Sequence, residues 1–216
     1  MSKIAVIDYD AGNTMSVMNA LKYLGYEVEL SNDPAVLYRA DHVVFPGVGA
    51  YADCMNKVRE YKLIDTIKEM NAKGTPFIGI CLGMQMLFDF STENVGETDK
   101  TRIEGLKILP GSITGFKENA AFNEGNVLKV PHMGWNSLNM VNKDSKLFKG
   151  INDGSFVYFV HSYYLNAVNR ADVATTTDYG ITFDSAIEHD NIFGCQFHPE
   201  KSGDVGMEIL KNFCTL

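Results

Sequence analysis

Clustered basic residues are missing from this 216-residue chain: no basic run exceeds two residues, and 19 Lys and Arg stand against 27 Asp and Glu, a formal charge of −8. Neutralising phosphates needs clustered cations, so a nucleic-acid binder is excluded. Long apolar runs are missing too; no uncharged stretch reaches the roughly 18 residues that a membrane span requires. The start, Met1-Ser2-Lys3-Ile4-Ala5-Val6-Ile7-Asp8, meets an acid too early for a signal peptide. The four cysteines (Cys54, Cys81, Cys195, Cys214) include no CxxC pair, which excludes a metal knuckle or a redox dithiol. Reduced thiols in a cytoplasmic protein are the expectation. Repeats, linkers and low-complexity segments are absent, so residues 1–216 are expected to form one domain.

What is present is ordinary globular material: 45% hydrophobic and 21% charged residues, enough for a core without staples. The first third alternates strand and helix patterns. Strands are expected at Lys3–Asp8, Tyr26–Leu30, His42–Phe45 and Phe77–Ile80. Helices are expected from an Asn13 cap to Leu24, over about 51–72, and over Leu82–Phe90, with Asp33-Pro34 opening a turn or short helix. Strand and crossover in this order predict an α/β fold, an open and mostly parallel sheet flanked by helices. After a polar loop from Glu93 to Lys100 the second half turns β-rich. Short β-like runs at Val127–Val130, Phe156–Val160, Asp172–Thr177, Ile181–Ile187 and Ile192–Phe197 precede a last helix, Val205–Phe213.

Gly79-Ile80-Cys81-Leu82-Gly83 lies where a strand should hand over to a helix. Gly-x-nucleophile-x-Gly at such a junction is a nucleophile elbow, with glycines that let neighbouring backbone approach. It would lift Cys81 above the C-terminal edge of the sheet, where such sheets bind ligands. The helix N-terminus would add positive potential there, and the Leu82 N–H would point at an oxyanion. The competing reading is a buried cysteine at a glycine-rich strand end. Phe197-His198-Pro199-Glu200 supplies a partner: His198 just past a strand, and Glu200 placed to turn back onto the imidazole. A zinc reading of His-x-Glu needs a Pro-Cys-x-x-Cys partner, and none exists. Together these residues point to a Cys81-His198-Glu200 triad, and no metal or cofactor is expected.

GICLGMQ with FHPEK resembles the class I, triad-type glutamine amidotransferases. Three further stretches, IDYDAGN (7–13), PHMGWN (131–136) and FVHSYY (159–164), are similar to the glutaminase subunits that supply ammonia to a cyclase in histidine biosynthesis. The resemblance runs from residue 4 to about 213. It implies glutamine as substrate, a cyclase subunit as heterodimeric partner, and hydrolysis through a Cys81 thioester. It also implies oxyanion donors at Leu82 and at Val48 or Gly49, in Pro46-Gly47-Val48-Gly49, and substrate contacts from Gly47, Gln85, Glu93, His161, Ser162 and Tyr163. Asn13 and His132 match partner-facing positions, and Trp135, Tyr158 and Lys201 surround the ammonia route. Competing readings are a plain strand-to-helix turn for the Gly47 loop, a solvated charge for Glu93, and core packing for Tyr163 and Trp135. Asp10 and Thr14 depart from the family's usual glycine and leucine.

His42 and His189, beside acids, are expected at the surface, and Cys54, Cys195 and Cys214 as structural thiols. Three other functions compete. A paralogous glutaminase could feed a sugar amidotransferase. A cysteine peptidase of the same elbow fold often has His directly after the nucleophile, where Leu82 stands. A non-enzymatic binding module would have no use for an intact triad.

Overall fold

The computed structural model describes residues 2–93, 102–124 and 128–216. In the first half these are β1 (Lys3–Ile7), α1 (Thr14–Tyr23), β2 (Glu27–Ser31), α2 (Pro34–Leu37), β3 (His42–Gly47), α3 (Tyr51–Glu60), α4 (Leu63–Ala72), β4 (Phe77–Cys81) and the single turn α5 (Leu82–Gln85). The second half adds β5 (Phe90–Ser91), β6 (Ile103–Glu104), β7 (Gly111–Gly115), α6 (Ala120–Asn123), β8 (His132–Ser137), β9 (Asn139–Met140), β10 (Phe156–His161), β11 (Tyr163–Ala167), β12 (Val173–Asp178), β13 (Thr182–His189), β14 (Ile192–Cys195) and α7 (Gly203–Cys214).

The main sheet runs β2-β1-β3-β4-β14-β13-β11-β7-β5-β6, with β12 joined to β13 and β9 joined to β12. Its first five strands are parallel, as the alternating pattern requires, and from β14 to β13 the pairing turns antiparallel. Successive residues of the parallel strands enter opposite cores. Ile4, Val6, Val44 and Ile78 pack with Leu21, Leu210 and Phe213, while Ala5, Ile7, Val43, Phe45 and Phe77 pack with Met55, Ile67 and Met70. That alternation is the mark of a sheet covered on both faces. Beside it, β8 and β10 form a separate antiparallel ribbon.

Several sequence expectations need correction. The 51–72 helix is two helices, broken where Lys62 adopts φ 57; Tyr61 bonds to Asp10 and Arg59 to the Glu104 carbonyl at 3.0 Å, so tertiary contacts override helix continuity. The helix after Cys81 stops at Gln85. The carbonyls of Met86, Leu87 and Phe88 accept instead from Leu106, Leu109 and Lys107. Asn13 precedes α1 but its side chain makes no capping bond. The segment around Trp135, which none of the expected strands includes, is a strand because β10 pairs with it. Of the strand expected at Val127–Val130, residue 127 lies outside the described residues and the rest is irregular. Most of the polar loop after Glu93 also lies outside them. His42 is buried, not exposed: Ser2 Oγ lies 2.9 Å from its Nδ1, and Phe213 packs on its ring. Asp10 sits at φ 56, the left-handed region that glycine occupies without cost, which accounts for the glycine usual there.

Candidate active site

Cys81 ends β4 with φ 54 and ψ −114, a strained conformation for a residue with a side chain. The flanking glycines make it possible. A Cβ on Gly83 would lie 1.8 Å from the Phe45 carbonyl oxygen, and one on Gly79 would lie 2.6 Å from the Met84 backbone. The elbow is thus pressed against β3 on one side and against its own helical turn on the other. Because α5 is one turn long, its dipole adds less than the expected longer helix would.

The neighbouring strand β14 carries the base. Gly194 and Cys195 pair with Gly79 and Ile80, so the chain leaves β14 alongside Cys81. His198 is held by its own N–H to the Tyr158 carbonyl (2.9 Å) and by Ser202 Oγ–H donated to its carbonyl (2.6 Å). Pro199–Lys201 forms a 3-10 turn that swings Glu200 back, and His198 Nδ1 meets Glu200 Oε1 at 2.8 Å with both side chains buried. His198 Nε2 is buried without a hydrogen-bond partner among the described residues. Burial by itself opposes a charged ring. The nearby Cys81 sulfur and the Glu200 carboxylate, through hydrogen bonding and charge, outweigh it and push the imidazole up to about 9. Of the two, Glu200 makes the firmer contact, since no bond of ordinary geometry closes between Nε2 and Sγ.

Cys81 and His198 line a cavity of about 330 Å³. Val48, Gly49, Leu82, Gln85, Glu93, His161, Ser162 and Tyr163 line it as well, joined by Pro131 and Val160, which the sequence reading did not single out. Gly47 does not reach the cavity. It pairs with Cys81 across β3 and β4 and packs on the Leu82–Gly83 backbone, where a Cβ would lie 2.5 Å from Gly83 N. Gly49 takes φ +103 with open space around its Cα, and Val48 O accepts from Cys54 Sγ at 3.4 Å. Tyr9 O–H, its pKa raised chiefly by burial, donates to Pro46 O at 2.7 Å and anchors the start of this loop. Glu93 accepts the Tyr51 N–H at 2.8 Å; burial raises its pKa against that bond.

The residues that the resemblance assigns to a partner surface are split between inside and outside. His132 is buried and its Nδ1 lies 2.9 Å from His161 Nε2, while His161 Nδ1 lies 2.8 Å from the Tyr163 carbonyl. Burial pushes His132 down to about 4 and His161 to about 3, so both rings are neutral at pH 7. Trp135 is exposed and sits edge-on to Tyr158, with ring centroids 6.2 Å apart. Met133 and Phe156 are exposed on the same ribbon, and Lys201 is exposed at the 3-10 turn. Asn13 is half-buried at the start of α1. Cys54, Cys195 and Cys214 are buried free thiols whose pKa values burial raises. Among the described residues no helix is long and apolar enough to cross a membrane.

The fold recurs in solved structures of low sequence similarity. PurLQS from Thermotoga maritima superposes with a TM-score of 0.73 at 17% identity, covering 100% of this chain and 99% of that one. The glutaminase domain of Trypanosoma brucei CTPS with bound acivicin gives 0.65 at 16%, covering 100% and 94%. Sequence relatives are nearer. The imidazole glycerol phosphate synthase subunit HisH of Caldanaerobacter subterraneus subsp. tengcongensis is 45% identical over 97% of this chain and 96% of its own length. The protein of the same name from Syntrophotalea carbinolica is 44% identical over 97% and 98%. The model of the glutamine amidotransferase class-I family matches residues 5–216. On that match and those end-to-end relatives, the chain belongs to the glutamine amidotransferase class-I family.

Proposed function

We propose that this chain, read as one domain over residues 1–216, is the glutaminase subunit of an imidazole glycerol phosphate synthase. In that role it hydrolyses glutamine and passes the ammonia to a cyclase subunit in histidine biosynthesis. The observation that carries the chemistry is His198, with Nδ1 committed to Glu200 at 2.8 Å and Nε2 uncommitted beside a cavity shared with Cys81.

With the Cys81 proton held on His198 Nε2, as the raised imidazole pKa favours, the Sγ thiolate attacks the carboxamide carbon of glutamine. The carbonyl oxygen becomes an oxyanion held by the Leu82 N–H and by a backbone N–H of the Val48-Gly49 loop. His198 returns its proton to the nitrogen, the C–N bond breaks, and ammonia leaves a thioester. Water, giving a proton to His198, attacks the thioester. The C–S bond breaks, glutamate departs, and the proton returns to sulfur. Glu200 holds the ring's tautomer and stabilises its charged form. Gln85, Glu93, His161, Ser162 and Tyr163 hold the substrate.

The partner seats on the ribbon that displays Met133, Trp135 and Phe156, an apolar surface of the kind that protein interfaces cover. Asn13, Tyr158 and Lys201 border it, and His132 backs it. The names of the curated relatives favour the synthase over a sugar amidotransferase partner. Glutamate release is to be measured from the chain alone, from its mixture with a cyclase subunit, and from that mixture with the acceptor nucleotide. Turnover rising by about a hundredfold to a thousandfold in the last state fits a loop donor brought into place by the partner. Equal kcat in all three states contradicts that coupling.

A further inference from the structure

The Tyr163 carbonyl sets the direction of the buried hydrogen bonds beside the nucleophile. A carbonyl only accepts, so Gln85 Nε2, 3.0 Å away, is the donor. The same Nε2 lies 2.9 Å from the side-chain oxygen of Gln196, which commits its second hydrogen. Gln196 must therefore turn Oε1 toward Gln85 and Nε2 the other way, 3.7 Å from Cys81 Sγ. Reversing the Gln196 amide would set two NH2 groups against each other and a carbonyl against the sulfur. Gln196 is fully buried, and its backbone N–H bonds the Ser185 carbonyl at 2.9 Å. A primary amide is costly to bury, whereas Met would fill similar space without polar groups to satisfy.

We infer that Gln196 is a positioning residue of the glutaminase site: its Oε1 locks Gln85 and its Nε2 supports the Cys81 sulfur after the proton has left. This rests on the reading of Cys81 as nucleophile. The sulfur has two neighbours of opposite kind. The Val160 carbonyl, 4.0 Å away, suits a thiol that still has its hydrogen. The Gln196 N–H suits a sulfur that has lost it, and the bond strengthens as its acceptor becomes charged. With both Nε2 hydrogens committed, Gln85 offers the cavity an acceptor alone, its Oε1. That suits the N–H groups of a carboxamide or an ammonium rather than a carboxylate.

The test uses the full chain as wild type, Gln196→Glu and Gln196→Met, with circular dichroism and melting to check the fold. Alkylation of Cys81 by iodoacetamide at each pH of a series, mapped by peptide, reads the sulfur. Basal glutamine hydrolysis gives kcat and KM. Gln196→Glu keeps an acceptor for Gln85 and loses the donor once its carboxyl is ionised. Its alkylation is therefore compared with wild type at the alkaline end of the pH series, where the buried acid has given up its proton. Alkylation and kcat should fall by about tenfold or more, as for a lost bond to a charged group, with KM within about threefold of wild type. Gln196→Met loses both halves, so alkylation and kcat should fall as far and KM should rise about tenfold as well. A folded Met variant with wild-type alkylation and KM would make Gln196 a packing residue and overturn the inference. Unchanged alkylation in a folded Glu variant would remove the donor role. Should Gln196→Glu not fold, the Met variant decides alone. Wild type that hydrolyses no glutamine, alone or with a cyclase, defeats the glutaminase reading instead, and the alkylation comparison still judges Gln196.

Discussion

Cys81 ends β4 and His198 follows the adjacent strand β14, yet backbone sterics hold the first and hydrogen bonds hold the second. At the elbow, positive φ is enforced by the approach of Gly83 to β3 and of Gly79 to Met84. At the base, Tyr158, Ser202 and Glu200 each bond to His198, from β10, from the start of α7 and from the 3-10 turn. The elbow is therefore intolerant of added bulk and indifferent to polarity. The base side should tolerate changes of shape better than the loss of a hydrogen bond.

Substitutions can break this comparison, and the largest effect is expected at the nucleophile. Cys81→Ala should leave fold and partner binding intact and lower glutamine kcat by about 10⁴-fold or more; residual turnover within tenfold of wild type would remove Cys81 from the mechanism. His198→Asn should be nearly as damaging. Glu200→Gln should fall short of the histidine change by about tenfold to a hundredfold, because it orients a proton carrier without being one. The reverse ranking in steady-state assays would overturn the assigned roles. Gly83→Ala acts on folding instead, since its methyl must displace the Phe45 carbonyl. Urea denaturation should show a loss of about 3 kcal/mol, the upper end for overpacking, or a chain that does not fold. A stable variant of unchanged midpoint would mean the elbow is looser than its contacts imply.

The smallest effect sharpens the contrast through pH. His132 and His161 have folded pKa values of about 4 and about 3, below the unfolded value near 6.5. Their unfolded forms bind more protons, so stability is complete above about pH 6.5 and lost as pH falls toward those values. His198, raised to about 9, has the opposite sign: its contribution is complete below about 6.5 and lost as pH rises through 9. Melting temperatures across pH 4–10 should show His132→Gln flattening the acid limb and His198→Asn flattening the alkaline limb. The opposite assignment would refute the reading of these environments.

The parallel half of the fold and the elbow were legible because their signals are local. Periodicity marks β1 to β4, and GICLG states its turn chemistry within five residues. His198 and Glu200 were legible for the same reason, two residues apart in one short motif. The break at Lys62, the one-turn length of α5 and the strand at His132–Ser137 were not. Each is decided by a distant partner: Asp10 and Glu104, the 106–109 backbone, and β10. Gln196 was passed over although it lies two residues before His198. Its signal was a lone amide inside an otherwise apolar strand end, a polar group that a buried strand must satisfy.

The central claim is that, of four buried thiols, Cys81 alone is chemically exposed to glutamine. An electrophilic, thiol-reactive glutamine analogue incubated with the complex, followed by peptide mapping in a mass spectrometer, tests it most directly. The account predicts one adduct, on the peptide containing Cys81, suppressed by excess glutamine. An adduct at Cys54, Cys195 or Cys214, or no adduct in a complex that still turns over glutamine, would contradict it.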